Sequence, residues 1–497
     1  MPKTIATRIS GSELRSIPGK MTKVSLFLLP FFLGCFFSAA LSAEEELESY
    51  RAAMGQLAEE CHRNGLELEA KVTQNRIWAD PENGFFVPRL PERRQNELPE
   101  DASQAQREWF EKLRRIETEY GARLFAQAQK LAEAGKGREA YAAARTSLFI
   151  DPENEEVRRI FGYHLYGGVW QRQWEHLQLK KGLVKDPQYG WVSAKQKEDL
   201  DGGSDETGKS RPKKREKTTL ETEHFELKTT VSRSIAAPLA ERLEEFYAVW
   251  NFLFFPIMVS EKEAAAVVLG KKEYLGEKHK VVLFRDRDEY LREILKVDPH
   301  GQISSGGYIP DKKTVYLYLP EESNEDETPL EVMAVHETAH QLFAETGMKR
   351  RSAKRRIDPG ENGGYWIIEG IACYLETFQV TGRGSTVGGT HSYRLQRAKE
   401  RADEPDGLLP IAELAGMGKK RFQRDPFPAK LYTESTGLVS FFLHAGGGKY
   451  REAFLDTLGA LYQGIDTPGF LEERIGVPYS LLVPEFLDYL RQTPFTE

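Results

Sequence analysis

Residues 328–343, TPLEVMAVHETAHQLF, and residues 363–378, GGYWIIEGIACYLETF, decide how this chain is read. The first stretch holds His336-Glu337-Thr338-Ala339-His340, an H-E-x-x-H motif, and the second supplies Glu369 after an interval of 28 residues. Leu330, Val335, Ala339, Leu342 and Phe343 recur at helical spacing, which predicts a helix. Thr328 suits its N-cap, Pro329 its first position, Glu331 the capping box and Gly347 the stop. Side chains four apart lie one above the other on one helix face. His336 and His340 can therefore reach one ion. With Glu369 they make the two-imidazole, one-carboxylate set of a catalytic zinc that keeps a position open for water. Glu337, beside the first histidine, then falls where a general base and acid is needed.

Outward from this stretch, the residues before it alternate between strand and helix patterns. His224–Val231 reads as a strand, and Ile235–Phe255 as a long amphipathic helix ending at Pro256. Lys280–Phe284 is a short buried strand, and Lys313–Leu319, after the turn Ser305-Gly306-Gly307, an alternating one. That order predicts an α+β domain over 220–497, with a mixed sheet lying over the H-E-x-x-H helix and helices closing the chain through Lys449–Thr493. Residues 44–194 read as a separate all-α domain. Ala122–Ala134, a turn at Gly135-Lys136-Gly137 and Arg138–Ile150 form a helical hairpin, and Glu155–Tyr166 continues the helical pattern. Small residues at the crossing and a D-P-E-N stop resemble a tetratricopeptide-type hairpin. One unit and part of a second fall short of the roughly three that such repeats need to stack, so a small helical domain is expected. Trp170, Trp174, Tyr189 and Trp191 read as core or interdomain packing rather than a ligand groove. Residues 195–219, charged and nearly free of apolar clusters, read as a linker.

At the N-terminus, Lys20-Met21-Thr22-Lys23 precedes the apolar run Val24–Phe37, then SAALSA and acidic Glu44–Glu46. A basic segment, a short apolar core and a small-residue cleavage point make residues 1–43 a secretory leader, starting at Met1 or Met21 and cut after Ala43. The expected product is exported, periplasmic or extracellular, with no stable membrane insertion once the leader is removed. Beyond Cys35 in the leader the chain has Cys61 and Cys373, which allow one bridge or two buried thiols and no disulfide framework. A length of 497 residues suits two or three domains. Net charge is −7 without a concentrated basic face, which excludes a nucleic-acid partner.

H-E-T-A-H-Q followed by W-I-I-E-G-I-A resembles the gluzincin metallopeptidases, the peptidase MA-like clan, and within it the aminopeptidase-like branch. The likeness is tight over the two helices and loose over residues 220–497. The arrangement of a helical domain before a peptidase-like one also resembles exported bacterial proteins of unknown function assigned to that clan. The resemblance implies a zincin-like fold, zinc held by His336, His340 and Glu369, Glu337 as base, and hydrolysis of a peptide or protein substrate. It also implies a tyrosine that stabilises the oxyanion, roughly sixty residues beyond the glutamate ligand. Tyr432, in KLYTESTGLVSFFLH, matches that separation, with His444 and His391 as alternatives. One departure matters. The aminopeptidase stretch G-x-M-E-N is missing, and the matching segment, Gly306 to Asp311, has no glutamate, which points to an endopeptidase. That strand can still pair with an extended substrate. Lys349, Arg350, Arg351, Lys354, Arg355 and Arg356 read as a solvated loop. Cys373, a turn after Glu369, reads as a small apolar residue, and Glu376 as the acceptor behind a ligand histidine. The helical N-terminal half is expected to dock a protein partner. The alternative is a catalytically silent or non-peptidase zincin-fold binding protein acting through that half.

Overall fold

The computed structural model describes residues 34–95, 98–202, 217–271, 278–297, 306–321, 328–347, 358–389, 391–464 and 469–494, with 34–43 as backbone alone. The expected leader through residue 33, the middle of the expected linker (203–216) and the basic side chains from Lys349 to Arg356 lie outside the described residues. The chain is α+β, with helices predominating.

Five strands form a mixed sheet in the order Thr218–Glu221, Phe225–Thr229, His279–Phe284, Thr314–Tyr318, Gly307–Ile309. The three central strands are parallel, and each outer strand runs antiparallel to its neighbour. Parallel neighbours require crossover connections. The helices Arg233–Met258 and Glu261–Val268 supply the first, and Arg287–Val297 lies in the second. Because side chains alternate along a strand, the sheet sorts its residues onto two faces. Leu227, Val281 and Val315 stand in register, as do Thr229, Leu283 and Leu317, and these aliphatics join the main core. Phe284 and Tyr318 face the other way, where Tyr290 and Ile294 cover them in a smaller cluster. On the main-core side lies the H-E-x-x-H helix, Leu330–Gly347. Its Phe343 meets Trp250 and Phe254 of the long helix at ring-centroid distances of 5.4 and 5.3 Å.

Several local expectations need correction. Pro256 does not end the long helix, which runs from Arg233 to Met258. A proline removes one helical N–H and leaves the carbonyl four residues earlier without its donor. Here that carbonyl, on Phe252, accepts from Arg145 Nη1 at 2.5 Å, so the helix continues. Residues 155–166 are not one helix either. The helix Glu155–Ile160 stops before Gly162, at φ +81°, and Tyr163–Tyr166 pairs with Val169–Arg172 as a hairpin. Its two-residue turn, Gly167-Gly168, has φ of +58° and +80°, the paired positive values that a tight hairpin turn requires. The stretch expected to be all-α therefore contains strands. The first residues of the expected linker are helical too, as Ala194–Gly202.

The helical hairpin itself forms from Gln104–Glu133 and Gly137–Ile150. Its first helix starts well before Ala122 because Ser103 and Gln106 complete a reciprocal capping box. This half shares the main core with the rest. Tyr141 and Phe161 pack on Phe255 and Phe252, and the strand Gly84–Pro88 pairs antiparallel with Gly384–Gly388. Gly137 allows the closest of these approaches, since a Cβ there would sit 1.9 Å from the Glu261 carbonyl oxygen. Cys61 and Cys373 are both free and buried. Among the described residues no helix is long and apolar enough to cross a membrane.

Candidate metal centre

The H-E-x-x-H helix begins at Leu330, where the Pro329 carbonyl accepts from the Met333 N–H, one residue later than a Thr328 cap implies. Most of it is buried. His336, Glu337 and His340 keep partial exposure on one side, as the four-residue spacing requires. The second helix, Tyr365–Leu375, is buried along its whole length, Glu369 being 5% exposed. It backs onto the helix Pro428–Gly448 through Gly370, where a Cβ would lie 2.8 Å from the Ser435 carbonyl oxygen. The glycine after the glutamate is thus a packing requirement. It lets the two helices approach closely enough to carry Glu369 to the histidines.

Three ligand atoms converge. His336 Nε2 and His340 Nε2 are 3.2 Å apart, and each lies 3.5 Å from Glu369 Oε2. Zinc bonds of about 2.0–2.2 Å at tetrahedral angles hold ligand atoms about 3.3–3.6 Å apart, so the triangle fits such an ion. Burial works against charge on His336, but hydrogen bonds with Cys373, Glu369 and Glu376 outweigh it and hold the imidazole well above its usual pKa. Burial likewise works against the Glu369 carboxylate. The charge of His340 and the hydrogen bonds to both histidines hold it well below the usual range. The three side chains thus form a group whose ligand atoms stand close enough together to hold one metal ion.

Behind the ligands stands a second layer. His336 Nδ1 lies 2.8 Å from Glu376 Oε1, the contact expected from spacing, and this fixes the ring with Nε2 toward the other ligands. Arg394 grips Glu376 with both ends of its fork, Nε to Oε2 at 2.8 Å and Nη2 to Oε1 at 3.2 Å. Tyr365 donates to Glu369 from one turn earlier, and its own hydroxyl accepts from Gln423 Nε2 at 3.1 Å. Cys373 is buried beside His336 and Glu376, with burial pushing its thiol pKa up.

Glu337 is held from the sheet. Its Oε2 accepts the Tyr308 backbone N–H at 2.7 Å. Tyr308 sits opposite Val315 on the edge strand Gly307–Ile309. The Tyr308 hydroxyl lies 3.5 Å from Glu345, which also holds His279 Nδ1 at 2.8 Å. Tyr432 is at the same centre. Burial raises its phenol first, and the nearby charges of Glu369 and Glu337 raise it further. Its ring packs on Phe422 at 5.5 Å, with Arg394 on its face at 5.7 Å. The two alternatives lie elsewhere. His444 Nε2 is 2.8 Å from the Tyr374 hydroxyl, and its ring stacks beside Tyr374 and lies tilted against Phe85, outside the ligand cluster. His391 is exposed, just before the Ser392 cap of the helix Tyr393–Ala402. Sequence reasoning missed Arg394 and Tyr365, and it placed Tyr308 on the edge strand without its bond to Glu337. Only Tyr365, four residues before Glu369, carried a local signal.

A scan against protein-family models finds no match for this chain, and no curated protein matches it.

Proposed function

We propose that the chain is an exported zinc metallopeptidase of the gluzincin type, with His336, His340 and Glu369 holding the metal. The observation that carries this reading is the ligand triangle of 3.2, 3.5 and 3.5 Å, drawn from two helices beside Glu337. On this reading the mixed sheet and the two helices form a zincin-like fold, and the hairpin of Gln104–Glu133 and Gly137–Ile150 is a tetratricopeptide-like partner surface. A bound zinc ion supplies Lewis acidity, bringing the ionisation of water near neutrality and polarising a carbonyl.

The chain's own residues do the rest. Glu337 takes the proton of the attacking water and passes it to the leaving amine. The Tyr308 N–H on its Oε2 orients the carboxylate for both transfers. Tyr432, a neutral phenol near Glu369 and Glu337, donates its hydroxyl hydrogen to the oxygen where negative charge develops. The edge strand Gly307–Ile309 offers an extended peptide a partner for strand addition. That strand carries no glutamate to pair with a free N-terminus, which favours endopeptidase action.

The test is metal analysis of the purified chain, with hydrolysis of a mixed peptide library by it and by Glu337→Gln. About one zinc per chain is expected, and Glu337→Gln should keep the zinc while losing about a hundred- to ten-thousand-fold in rate. Failure to bind zinc removes the metal assignment. Zinc without peptide cleavage by the unmutated chain points instead to a binding protein or a non-peptidase hydrolase.

A further inference from the structure

A second cavity, of about 240 Å³, shares no lining residue with the metal centre. It lies between the long helix Arg233–Met258 and the segment of two hairpins that begins at Tyr163 and ends at Val192. Aromatic rings form part of its wall. Trp174 and Trp191 meet edge to face at 5.6 Å, and Lys278 Nζ already lies 5.5 Å from the Trp174 ring, so that ring accepts a cation.

Glu175, Glu223, Glu241, Glu244 and Glu245 line it as well, with Arg172, Lys185 and His224 among them, so the carboxylates outnumber the cations and their pairing is incomplete. Glu223 is bonded to Arg172, Glu241 to Lys185 at 2.6 Å and Glu244 to His224 at 2.7 Å. Glu175 accepts the Arg172 backbone N–H at 2.9 Å, and Arg89 comes no nearer to Glu245 than 3.9 Å. Burial pushes the pKa of both carboxyls up, a cost that a further cation removes. Asn251 lines the same cavity, and its Oδ1 is buried without a hydrogen-bond partner. A buried acceptor left unmatched is expensive. The cavity thus combines carboxylates in excess of their cationic partners with π faces, and a cation on an apolar stem satisfies both.

We propose that this cavity binds an organic cation, a primary ammonium or guanidinium group on an aliphatic stem such as a lysine or arginine side chain carries. Glu175 and Glu245 are its counter-ions and Trp174 and Trp191 its aromatic wall. The proposal is independent of the metal centre.

The test uses the full chain with acetyl-lysine and acetyl-arginine methylamides, their norleucine counterpart and free cadaverine, followed by calorimetry and tryptophan fluorescence. The lysine or arginine probe should bind at least about ten-fold more tightly than norleucine, the margin expected of a cation seated between rings and carboxylates. Glu175→Gln with Glu245→Gln should abolish that margin. Glu245→Gln alone, at a half-exposed site where the fold tolerates change, should cut it about three-fold or more. Cadaverine matching the amino-acid probes identifies a free amine as the natural ligand, and cadaverine binding more weakly identifies a side chain of a peptide; both support the site. Equal binding of the norleucine probe, no binding by any cationic probe, or an unchanged margin in Glu245→Gln overturns it.

Discussion

Replacing Glu376 by Gln separates a carboxylate that tunes the metal from one that merely fills space. A carboxylate only accepts, so the 2.8 Å contact makes His336 Nδ1 the donor and leaves Nε2 for the metal. Glutamine keeps the length and an acceptor oxygen but loses the charge. Charged hydrogen bonds are worth about 1.5–3 kcal/mol against about 1 kcal/mol for neutral ones. The imidazole therefore loses roughly 1.5 kcal/mol of support, about ten-fold in zinc affinity, the lower end of the ten- to hundred-fold usual for groups behind ligand histidines. Chelator competition at fixed pH measures it. Glu376→Gln also breaks the buried pair with Arg394, so stability falls as well. Arg394→Gln controls for this, breaking the same pair while leaving the carboxylate on His336. Both variants should lower the melting temperature of the metal-free protein, but only Glu376→Gln should weaken zinc binding by more than about three-fold. Parallel losses of affinity in the two variants would refute the reasoning, because Glu376 would then act through the fold rather than through His336.

Other expectations rest on packing and on buried groups. Gly370→Ala puts a methyl 2.8 Å from the Ser435 carbonyl oxygen and so displaces Glu369; zinc affinity and melting temperature should fall together, by about 1–3 kcal/mol in stability. Arg145→Met leaves the Phe252 carbonyl opposite Pro256 without a donor and should cost about 1–3 kcal/mol in denaturant unfolding, with zinc affinity unchanged. Glu434, fully buried, is pushed by burial from its ordinary 4.5 up to about 7, so its stabilising neutral form is complete below 4.5 and is lost as pH rises through about 7. Relative to the unmutated chain, Glu434→Gln should gain roughly 2–3 kcal/mol between pH 5 and pH 8.5, and an offset independent of pH would remove this assignment.

What could be read from the sequence was what repeats within a few residues of itself. The histidines at 336 and 340, Glu369 and Glu376 all follow helical spacing, and each stands in one cluster or against a member of it. The strand patterns 280–284 and 313–319 formed for the same reason, alternation being local. The long helix was misjudged at Pro256 because the donor that rescues it, Arg145, is more than a hundred residues away. Arg394 was invisible on similar grounds. It lies in YRLQRAKERA, where spacing marks several basic side chains as solvent-facing and only the tertiary fold singles out the one on Glu376. The glycines of 163–172 could have been read, since Gly167-Gly168 between alternating residues is a hairpin signal, but the helical period before it dominated.

The edge strand shows why the remaining gap matters for function. On specificity the sequence offered a missing glutamate in Gly306 to Asp311, which is negative, and a strand able to pair with an extended substrate. The fold adds a positive term. Tyr308 stands opposite Val315 and turns its N–H away from that strand onto Glu337, so the group that would meet a substrate backbone and the group that would move its proton are one connected unit. The Tyr308 hydroxyl and Gln341 both reach Glu345, and Glu345 reaches His279 on the central strand of the sheet. A substrate that shifts the edge strand must therefore shift the base with it. On the proposed peptidase reading, a peptide that pairs poorly with this strand should be slow in kcat as well as weak in KM, and equal kcat for extended and poorly extended peptides would refute the coupling.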